Sequence, residues 1–362
     1  MIKILHLYPE INITCGISKS IYSIVNNTND TYENYVFCLG GDGIDKYKKA
    51  KINTLVYPVN KRSLFKSLKL FFKLFYFVRK KNIDIIHSHH RYFDLIAFII
   101  SILISIRTIT SVRSKVHNKI HFSYKAQILI ACSNAIKKHL IEYFKIDQKK
   151  IKVIYNFIDP RGVSVTIQKS DLKKELGIDD MSTIIGFVGR FSIREKGVDN
   201  LLESFKKLNI SNSANTVLLL IGDGEDKKYI NDFINTKNRN VLVLPPKENI
   251  FDYYNIIDIV VLPSRVEPFG NVTIEAGLMK KAFIGSNVDG IAEVIENNVN
   301  GLLVEAGKPD ELAKAIEYLL DNESVAKELG ENLYKKVISE FNAEKIIPQY
   351  EALYNDIVYD PK

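Results

Sequence analysis

The stretch Ile256-Ile257-Asp258-Ile259-Val260-Val261-Leu262-Pro263-Ser264-Arg265-Val266-Glu267-Pro268-Phe269-Gly270-Asn271-Val272-Thr273-Ile274-Glu275-Ala276 decides how this chain is read. It opens on a short, apolar, β-branched run, the pattern of a strand buried on both faces of a parallel sheet. Pro and Gly then mark a turn, and a helix is expected from Asn271 onward. Strand, turn and helix in that order set Glu267 at the carboxyl edge of a sheet and Glu275 about one turn inside the helix. The first-turn amides of Asn271, Val272 and Thr273 are expected to be unpaired, which makes the helix start a natural place for a diphosphate. A lone pair of glutamates at this spacing arises by chance in many acidic helices, and Glu275 near a helix N-terminus could simply complement the dipole, worth about 0.3–1 kcal/mol. That bland reading does not account for Glu267 in a Pro-Phe-Gly turn.

Outward from this stretch, apolar strand-like runs alternate with helical patterns. One series comprises Lys3 to Tyr8, Tyr35 to Leu39, Thr54 to Tyr57, Ile83 to His87, Thr108 to Val112, Ile128 to Cys132 and Lys152 to Tyr155. A second comprises Ile184 to Gly189, Val217 to Ile221, Val241 to Leu244, Ile259 to Leu262, Ala282 to Gly285 and Leu302 to Val304. Such alternation implies an α/β chain of right-handed βαβ units on two Rossmann-like, mostly parallel sheets. At 362 residues the chain exceeds a comfortable single core. The segment from Phe157 to Lys169 carries Pro and Gly without periodicity and is taken as the hinge, giving domains 1–158 and 159–340.

The net charge of +8 hides a division: residues 1–156 hold 26 Lys and Arg against 9 Asp and Glu, and the remainder 24 against 33. The basic half suggests an acidic partner, with anionic phospholipid, a lipid-linked diphosphate and nucleic acid as candidates. Nucleic acid is the weakest, since no recognition motif accompanies the charge. Residues 61–81 carry eight basic side chains and no acidic one. At helical spacing Arg62, Lys66, Lys69 and Lys73 form a stripe, with Leu64, Leu68, Phe71, Phe75 and Val78 opposite and expected on the sheet. Leu70 and Phe77 fall beside the lysines, as in a helix lying on an anionic membrane surface; the alternative is an ordinary surface helix. Three scattered cysteines, Cys15, Cys38 and Cys132, show no metal-ligand spacing and fit a reducing cytoplasm. The N-terminal apolar run is too short for a signal peptide, and Leu95 to Ile106 too short to span a bilayer.

Several side chains suit a negatively charged ligand. Arg190 follows a Gly that ends a buried strand, and Lys196 lies six residues on beside Gly197, so both can reach one phosphate pair from one loop. Gly16, after the first strand and before an amphipathic helix, suits close backbone approach to phosphate or plain helix initiation. In His87-Ser88-His89-His90, at a strand's carboxyl edge, His87 reads as packing. Arg113 and His117, on the loop after Thr108 to Val112, are either ligand contacts, for an acceptor in the resemblance given below, or solvated charge. The chain contains no Asp-X-Asp triad of the kind that could hold a divalent metal on a diphosphate, so no metal is expected, and no cofactor is expected either.

Glu267 to Glu275 resembles the EX7E signature of the retaining glycosyltransferases of family 4, which have the GT-B fold. Gly186-Phe187-Val188-Gly189-Arg190-Phe191 with Glu195-Lys196-Gly197-Val198-Asp199, Ile221-Gly222-Asp223-Gly224, Asp289-Gly290-Ile291-Ala292-Glu293 and Asn300-Gly301-Leu302-Leu303-Val304 extend the likeness over most of the chain. The resemblance implies two Rossmann-like domains facing across a cleft, with residues 341–362 returning as a helix to the N-terminal, acceptor-binding domain. It further implies that Arg190 and Lys196 hold the donor diphosphate and that Glu275 holds the ribose. Glu267 and His89 would contact the transferred sugar, with backbone from Phe269, Gly270, Asn271, Val272 and Thr273 around them and the base against Leu244 and Pro245. The family usually has paired glycines where this chain has Cys15-Gly16. The implied activity is metal-independent transfer, with retention, of a hexosyl or N-acetylhexosaminyl group from a UDP- or GDP-sugar to a lipid-linked or surface glycan, such as lipopolysaccharide, O-antigen or capsule. The enzyme would sit at the inner face of the plasma membrane. Rivals are a non-catalytic nucleotide-sugar sensor and a GT-B phosphorylase or epimerase.

Overall fold

The structure is a computed structural model that describes residues 1–58, 64–118, 123–208, 215–237 and 240–359. The chain divides into two compact units, residues 1–156 with 343–362, and residues 157–342.

The first unit is built on β1 (Ile2–Leu7), β2 (Tyr32–Cys38), β3 (Asn53–Val56), β4 (Ile85–Ser88), β5 (Arg107–Val112), β6 (Ile128–Ala131) and β7 (Ile151–Val153), ordered β3-β2-β1-β4-β5-β6-β7. All neighbours are parallel. Strand alternation sorts the core into two clusters. Leu5, Leu7, Tyr35 and Phe37 pack against α3 (Leu64–Lys81) and α4 (Arg91–Ile104), whereas Val36 and Cys38 pack with side chains of α1 (Gly16–Asn27) and α2 (Ile44–Lys49). A short helix, α5 (Asn134–Glu142), follows β6.

The seam of α3 follows the sequence expectation at Phe71, Phe75 and Val78, which face the core, and departs from it at Leu70 and Phe77, expected beside the lysines but packed inward, and at Leu68, which is exposed. Leu70, Leu74 and Val78 are its buried i, i+4, i+8 row, while Leu68, Phe72 and Tyr76 stand 53%, 59% and 63% exposed. The expected seam through Leu68 was displaced because Phe, Leu and Tyr occur all round this helix, so several stripes satisfy a 3.6-residue period. Arg62 and the Leu64 side chain lie outside the described residues.

The second unit contains β8 (Thr183–Val188), β9 (Thr216–Ile221), β10 (Val241–Leu244), β11 (Ile259–Leu262), β12 (Ala282–Ser286) and β13 (Leu302–Val304), parallel and ordered β10-β9-β8-β11-β12-β13. Its helices include α6 (Lys169–Glu175), α7 (Ile193–Lys196), α8 (Val198–Lys207), α9 (Lys227–Lys237), α10 (Ile250–Ile256), α11 (Asn271–Leu278), α12 (Ile291–Val294), α13 (Pro309–Asp321) and α14 (Glu323–Glu340). Thr166, in the segment read as a hinge, is tied into this unit: its N–H and Oγ1 donate to the Asp252 carboxylate at 2.5 and 2.8 Å. The last helix, α15 (Ala343–Tyr359), belongs to the first unit, where Tyr32 Oη donates to Glu351 O at 3.0 Å.

Both sheets change direction beside their first strand. In the first unit the chain runs outward from β1 to β3 and returns at β4; in the second it runs from β8 to β10 and returns at β11. Loops leaving β1 and β4, or β8 and β11, therefore diverge at the carboxyl edge and leave a crevice, the usual place for a ligand in an open α/β sheet.

Candidate active site

In the second unit, the loop after β8 carries Arg190 and leads into α7, whose N-cap Ser192 accepts from Glu195 N at 3.3 Å. Lys196 ends α7, and Gly197 follows in the left-handed region at φ 64°. A Cβ there would lie 2.2 Å from Pro263 O, so glycine is needed both for its backbone conformation and for the close approach of the β11 loop. That loop is stapled to α7 by Arg265 N and Val266 N, both donating to Glu195 O at 2.8 and 3.1 Å. The Arg265 side chain adds a bidentate pair with Asp199, at 2.6 and 2.8 Å, and a bond to Ile193 O.

The staple brings Lys196 onto Glu267, whose Oε2 accepts from both Lys196 Nζ and Ser264 Oγ. Glu267 is only 6% exposed. Arg190 pairs instead with Glu195. The two cations thus share a loop, as expected, but each rests on its own carboxylate rather than on a common group.

Gly270, at φ 88°, begins α11. The expectation of three unpaired first-turn amides is corrected at Thr273, whose N–H donates to Gly270 O at 2.9 Å because the first turn closes on itself. The Thr273 hydroxyl is fully buried and makes no hydrogen bond. One turn on, Glu275 Oε2 accepts from Tyr254 Oη at 2.9 Å, and Tyr254, on α10, is wholly buried. Burial and the neighbouring Glu275 carboxylate hold the Tyr254 phenol well above its ordinary range, so it remains a donor. Among the described residues both glutamates are held through Oε2 alone, which leaves Oε1 of each for a ligand. Phe269 is buried, while Asn271 and Val272 are partly exposed at the helix start. Leu244 ends the edge strand β10 with its carbonyl accepting from Gly222 N at 3.0 Å, and Pro245 beyond it is exposed.

In the first unit, Gly16 is exposed at the start of α1, next to Cys15, whose Sγ lies 3.5 Å from Tyr8 Oη. His6 and His87 are register partners on β1 and β4, and His89 follows β4. His87 is buried between Tyr354 Oη and Ser111 Oγ, at 2.9 and 2.8 Å. His89 is 3% exposed, and both its ring nitrogens are engaged: Nδ1 with Arg113 at 2.8 Å and Nε2 with His6 Nδ1 at 3.0 Å. A sugar contact by His89 would break one of these bonds. His117 packs on the rings of His139 and Tyr143, outside Arg113's set of partners.

The donor-only chemistry of arginine fixes the tautomers. Arg113 donates to His89 Nδ1, so neutral His89 carries its proton on Nε2 and donates to His6 Nδ1. His6 in turn donates from Nε2 to Asn34 Oδ1 at 3.1 Å, and Asn34 Nδ2 donates to Thr28 Oγ1 at 2.7 Å. Burial pushes His6 down to about 4, opposed by the Asn34 bond and assisted by the Arg113 charge. Burial first, then His87, Arg113 and His6, holds His89 well below its ordinary range. His6, His87 and His89 offer nitrogens within 4.8 Å of one another, close enough to consider a metal. Their ring nitrogens already have protein partners and a guanidinium lies against His89, so the donor set fits a neutral hydrogen-bonded chain better than a cation site.

Sequence reasoning missed His6, Asn34, Tyr254 and the Arg265–Asp199 pair. A buried tyrosine needs a partner for its hydroxyl, which is the one signal that could have pointed to Tyr254.

Residues 15–161 match the family model described as Glycosyltransferase Family 4, and residues 168–336 the one described as Glycosyl transferases group 1. The chain is 30% identical over 324 residues to N-acetyl-alpha-D-glucosaminyl L-malate synthase of Bacillus anthracis, covering 84% of each chain. The chain belongs to glycosyltransferase family 4. It is also similar, at 25% identity over 99% of its length and 97% of the relative's, to the Escherichia coli UDP-Gal:alpha-D-GlcNAc-diphosphoundecaprenol alpha-1,3-galactosyltransferase. Among solved structures, Anabaena HepE in complex with UDP and glucose superposes with a TM-score of 0.86 at 20% identity, covering 98% and 100% of the two chains. The fold of this family 4 transferase is therefore GT-B, and its activity is glycosyl transfer from a nucleotide-sugar.

Proposed function

We propose that this transferase moves a hexosyl or N-acetylhexosaminyl group, with retention and without a divalent metal, from a UDP-sugar, or a GDP-sugar, to a lipid-linked or surface glycan. The observation that carries the donor half is the pair of glutamates, each fixed through one oxygen and open at the other. Glu275 takes the ribose hydroxyls and Glu267 those of the transferred sugar. As the glycosidic bond breaks, charge grows on the departing diphosphate. Lys196 and Arg190 then exchange Glu267 and Glu195 for phosphate oxygens, and the start of α11 adds its amide dipoles. The acceptor hydroxyl attacks the anomeric carbon on the face the diphosphate leaves, and a phosphate oxygen of the leaving group takes its proton. The Escherichia coli relative, named for a diphosphoundecaprenol-linked acceptor, and the capsular glycosyltransferase CapM of Staphylococcus aureus, 31% identical over 234 residues, favour acceptors of this class.

The enzyme works at the inner face of the plasma membrane in this reading, through α3. Leu68, Phe72 and Tyr76 form its exposed row, flanked by Lys66, Lys69, Lys73 and Lys80. Among the described residues no helix is long and apolar enough to cross a membrane. Co-sedimentation with vesicles containing phosphatidylglycerol should fall at least several-fold in Phe72→Asp; equal binding would remove α3 from the contact.

The decisive assay is nucleoside diphosphate release from a panel of UDP- and GDP-sugars in EDTA, with a membrane extract as acceptor and Glu275→Ala as control. Release from one donor that vanishes in the variant supports the reading. Donor binding without release from any donor would favour the sensor instead.

A further inference from the structure

We propose that Arg113 is an oxyanion-binding residue of the first unit, taking a phosphate or carboxylate group, and that the chain Asn34–His6–His89 holds it in position. Only the assignment of that anion to the acceptor rests on the transferase reading above; the site itself stands on the geometry of one unit.

A guanidinium has five N–H donors. Those of Arg113 meet Asn156 Oδ1 at 3.3 Å through Nε, His89 Nδ1 at 2.8 Å through one terminal nitrogen, and Tyr350 Oη at 3.4 Å through the other. All three partners are neutral, and two donors remain. Among the described residues no carboxylate forms an ion pair with Arg113. Arg190, Arg265 and Arg161 rest on the carboxylates of Glu195, Asp199 and Asp159, whereas Arg91, like Arg113, meets only neutral acceptors among the described residues, the two oxygens of Asn118 at 3.0 Å. A half-buried cation without a counter-charge is costly unless a ligand supplies one.

The surroundings keep that vacancy of charge fixed in place. The histidine chain runs in one direction, with Arg113 as the obligatory donor at one end and the Asn34 carbonyl oxygen as acceptor at the other. Tyr350 comes from α15 and Asn156 from the end of the unit's first segment, so three separate parts of the unit grip the guanidinium. The residue stands just beyond β5, next to the β1/β4 crevice at the carboxyl edge of the sheet. A planar fork held by neutral acceptors matches the two oxygens of a phosphate or carboxylate.

Calorimetric titration of the full-length chain tests this, in a Lys196→Ala background that removes the phosphate contact of the other unit. Inorganic pyrophosphate and succinate are used in separate arms. At least one is expected to bind, with affinity falling several-fold in Arg113→Lys, which keeps the charge and loses the fork, and at least tenfold in Arg113→Gln. Pyrophosphate binding would point to a diphosphate-linked acceptor, and succinate binding to a small carboxylate. Either anion binding equally well to all three chains, or neither binding at all, would overturn the proposal. Arg113→Lys alone suffices if the Gln variant does not fold, since unchanged affinity in it is equally fatal. Nucleoside diphosphate release by the wild-type chain keeps the two readings separate: release without Arg113-dependent anion binding sinks the anion site alone, and anion binding without release sinks only the transferase reading.

Discussion

The two crevices are held by opposite electrostatics. In the second unit, three cations near the β8/β11 crevice rest on carboxylates: Arg190 on Glu195, Lys196 on Glu267 and Arg265 on Asp199. In the first, beside β1 and β4, one guanidinium faces three neutral acceptors and a chain of neutral histidines. The difference teaches that, under the proposed function, one site stores its binding charge as internal ion pairs a ligand must exchange, while the other keeps its charge without a carboxylate partner.

The sharpest way to break the comparison is to remove the exchanging cation. Lys196→Ala is expected to lower kcat for nucleoside diphosphate release by about 10²–10³-fold, the scale for losing one preorganised group that meets developing charge. The same change should leave anion binding at Arg113 untouched. A loss of less than tenfold in kcat would take Lys196 out of the reacting charge.

Next in size is the staple that sets Lys196 against Glu267. Gly197→Ala meets both a left-handed backbone and the Pro263 carbonyl. The backbone term alone costs roughly 1–2 kcal/mol, and the contact adds to it. Thermal unfolding should therefore shift down by several degrees, with activity falling further than stability as the β11 loop is pushed from α7. An unchanged melting temperature would mean that the loop yields freely.

These two tests also mark how far the sequence could be read. Thirteen strand-like runs were legible because each is a short β-branched segment bounded by turn residues, and each has a strand in the structure at or within about two residues of it. Glu267, Glu275, Arg190 and Lys196 lie together on the loops and helices around the β8/β11 crevice because the order of strands puts them there, and that order follows from right-handed crossovers. The α3 seam was legible only in part: Phe71, Phe75 and Val78 face the core as expected, but Leu68 and Leu70 satisfy helical periodicity equally well and only packing chooses between them. Nor was His6: a histidine on β1 gains meaning only when β4 lays His87 beside it and Arg113 dictates the proton on His89. Tyr254 and Glu275 are 21 residues apart and meet through the packing of two helices, a contact no local pattern records.

The first unit makes its own prediction about acid. His6 is neutral in the folded chain and pushed down to about 4, against an unfolded value near 6.5. Between those values the unfolded chain binds the extra proton. Stability is therefore full above about pH 6.5, declines as pH falls toward 4 and levels off below. For one histidine the slope reaches about 1.4 kcal/mol per pH unit, so roughly 2 kcal/mol is lost between pH 6.5 and 5. Urea unfolding at those two pH values measures it, and His6→Gln should flatten part of the slope. A midpoint equally sensitive to pH in both chains would show that the histidine chain is not held neutral.

A single hydrogen bond sharpens the other side of the comparison. Tyr254 touches Glu275 but lies wholly inside the unit, so it acts on a ligand only by fixing Glu275 Oε2 and turning Oε1 outward. Tyr254→Phe keeps the ring, its packing and the fold while deleting one hydrogen bond to a charged acceptor, an interaction worth about 1.5–3 kcal/mol. With Glu275 on the ribose, as proposed above, whose contacts are alike in ground and transition states, that loss belongs to uniform binding and should raise the donor KM about tenfold or more with kcat little changed. A fall in kcat at constant KM would instead place Glu275 at the reacting sugar, reversing the division of labour between the two glutamates. Steady-state kinetics on the single donor that supports release distinguishes the two, and Glu275→Gln, which keeps an acceptor oxygen for the tyrosine, should fall between Tyr254→Phe and Glu275→Ala.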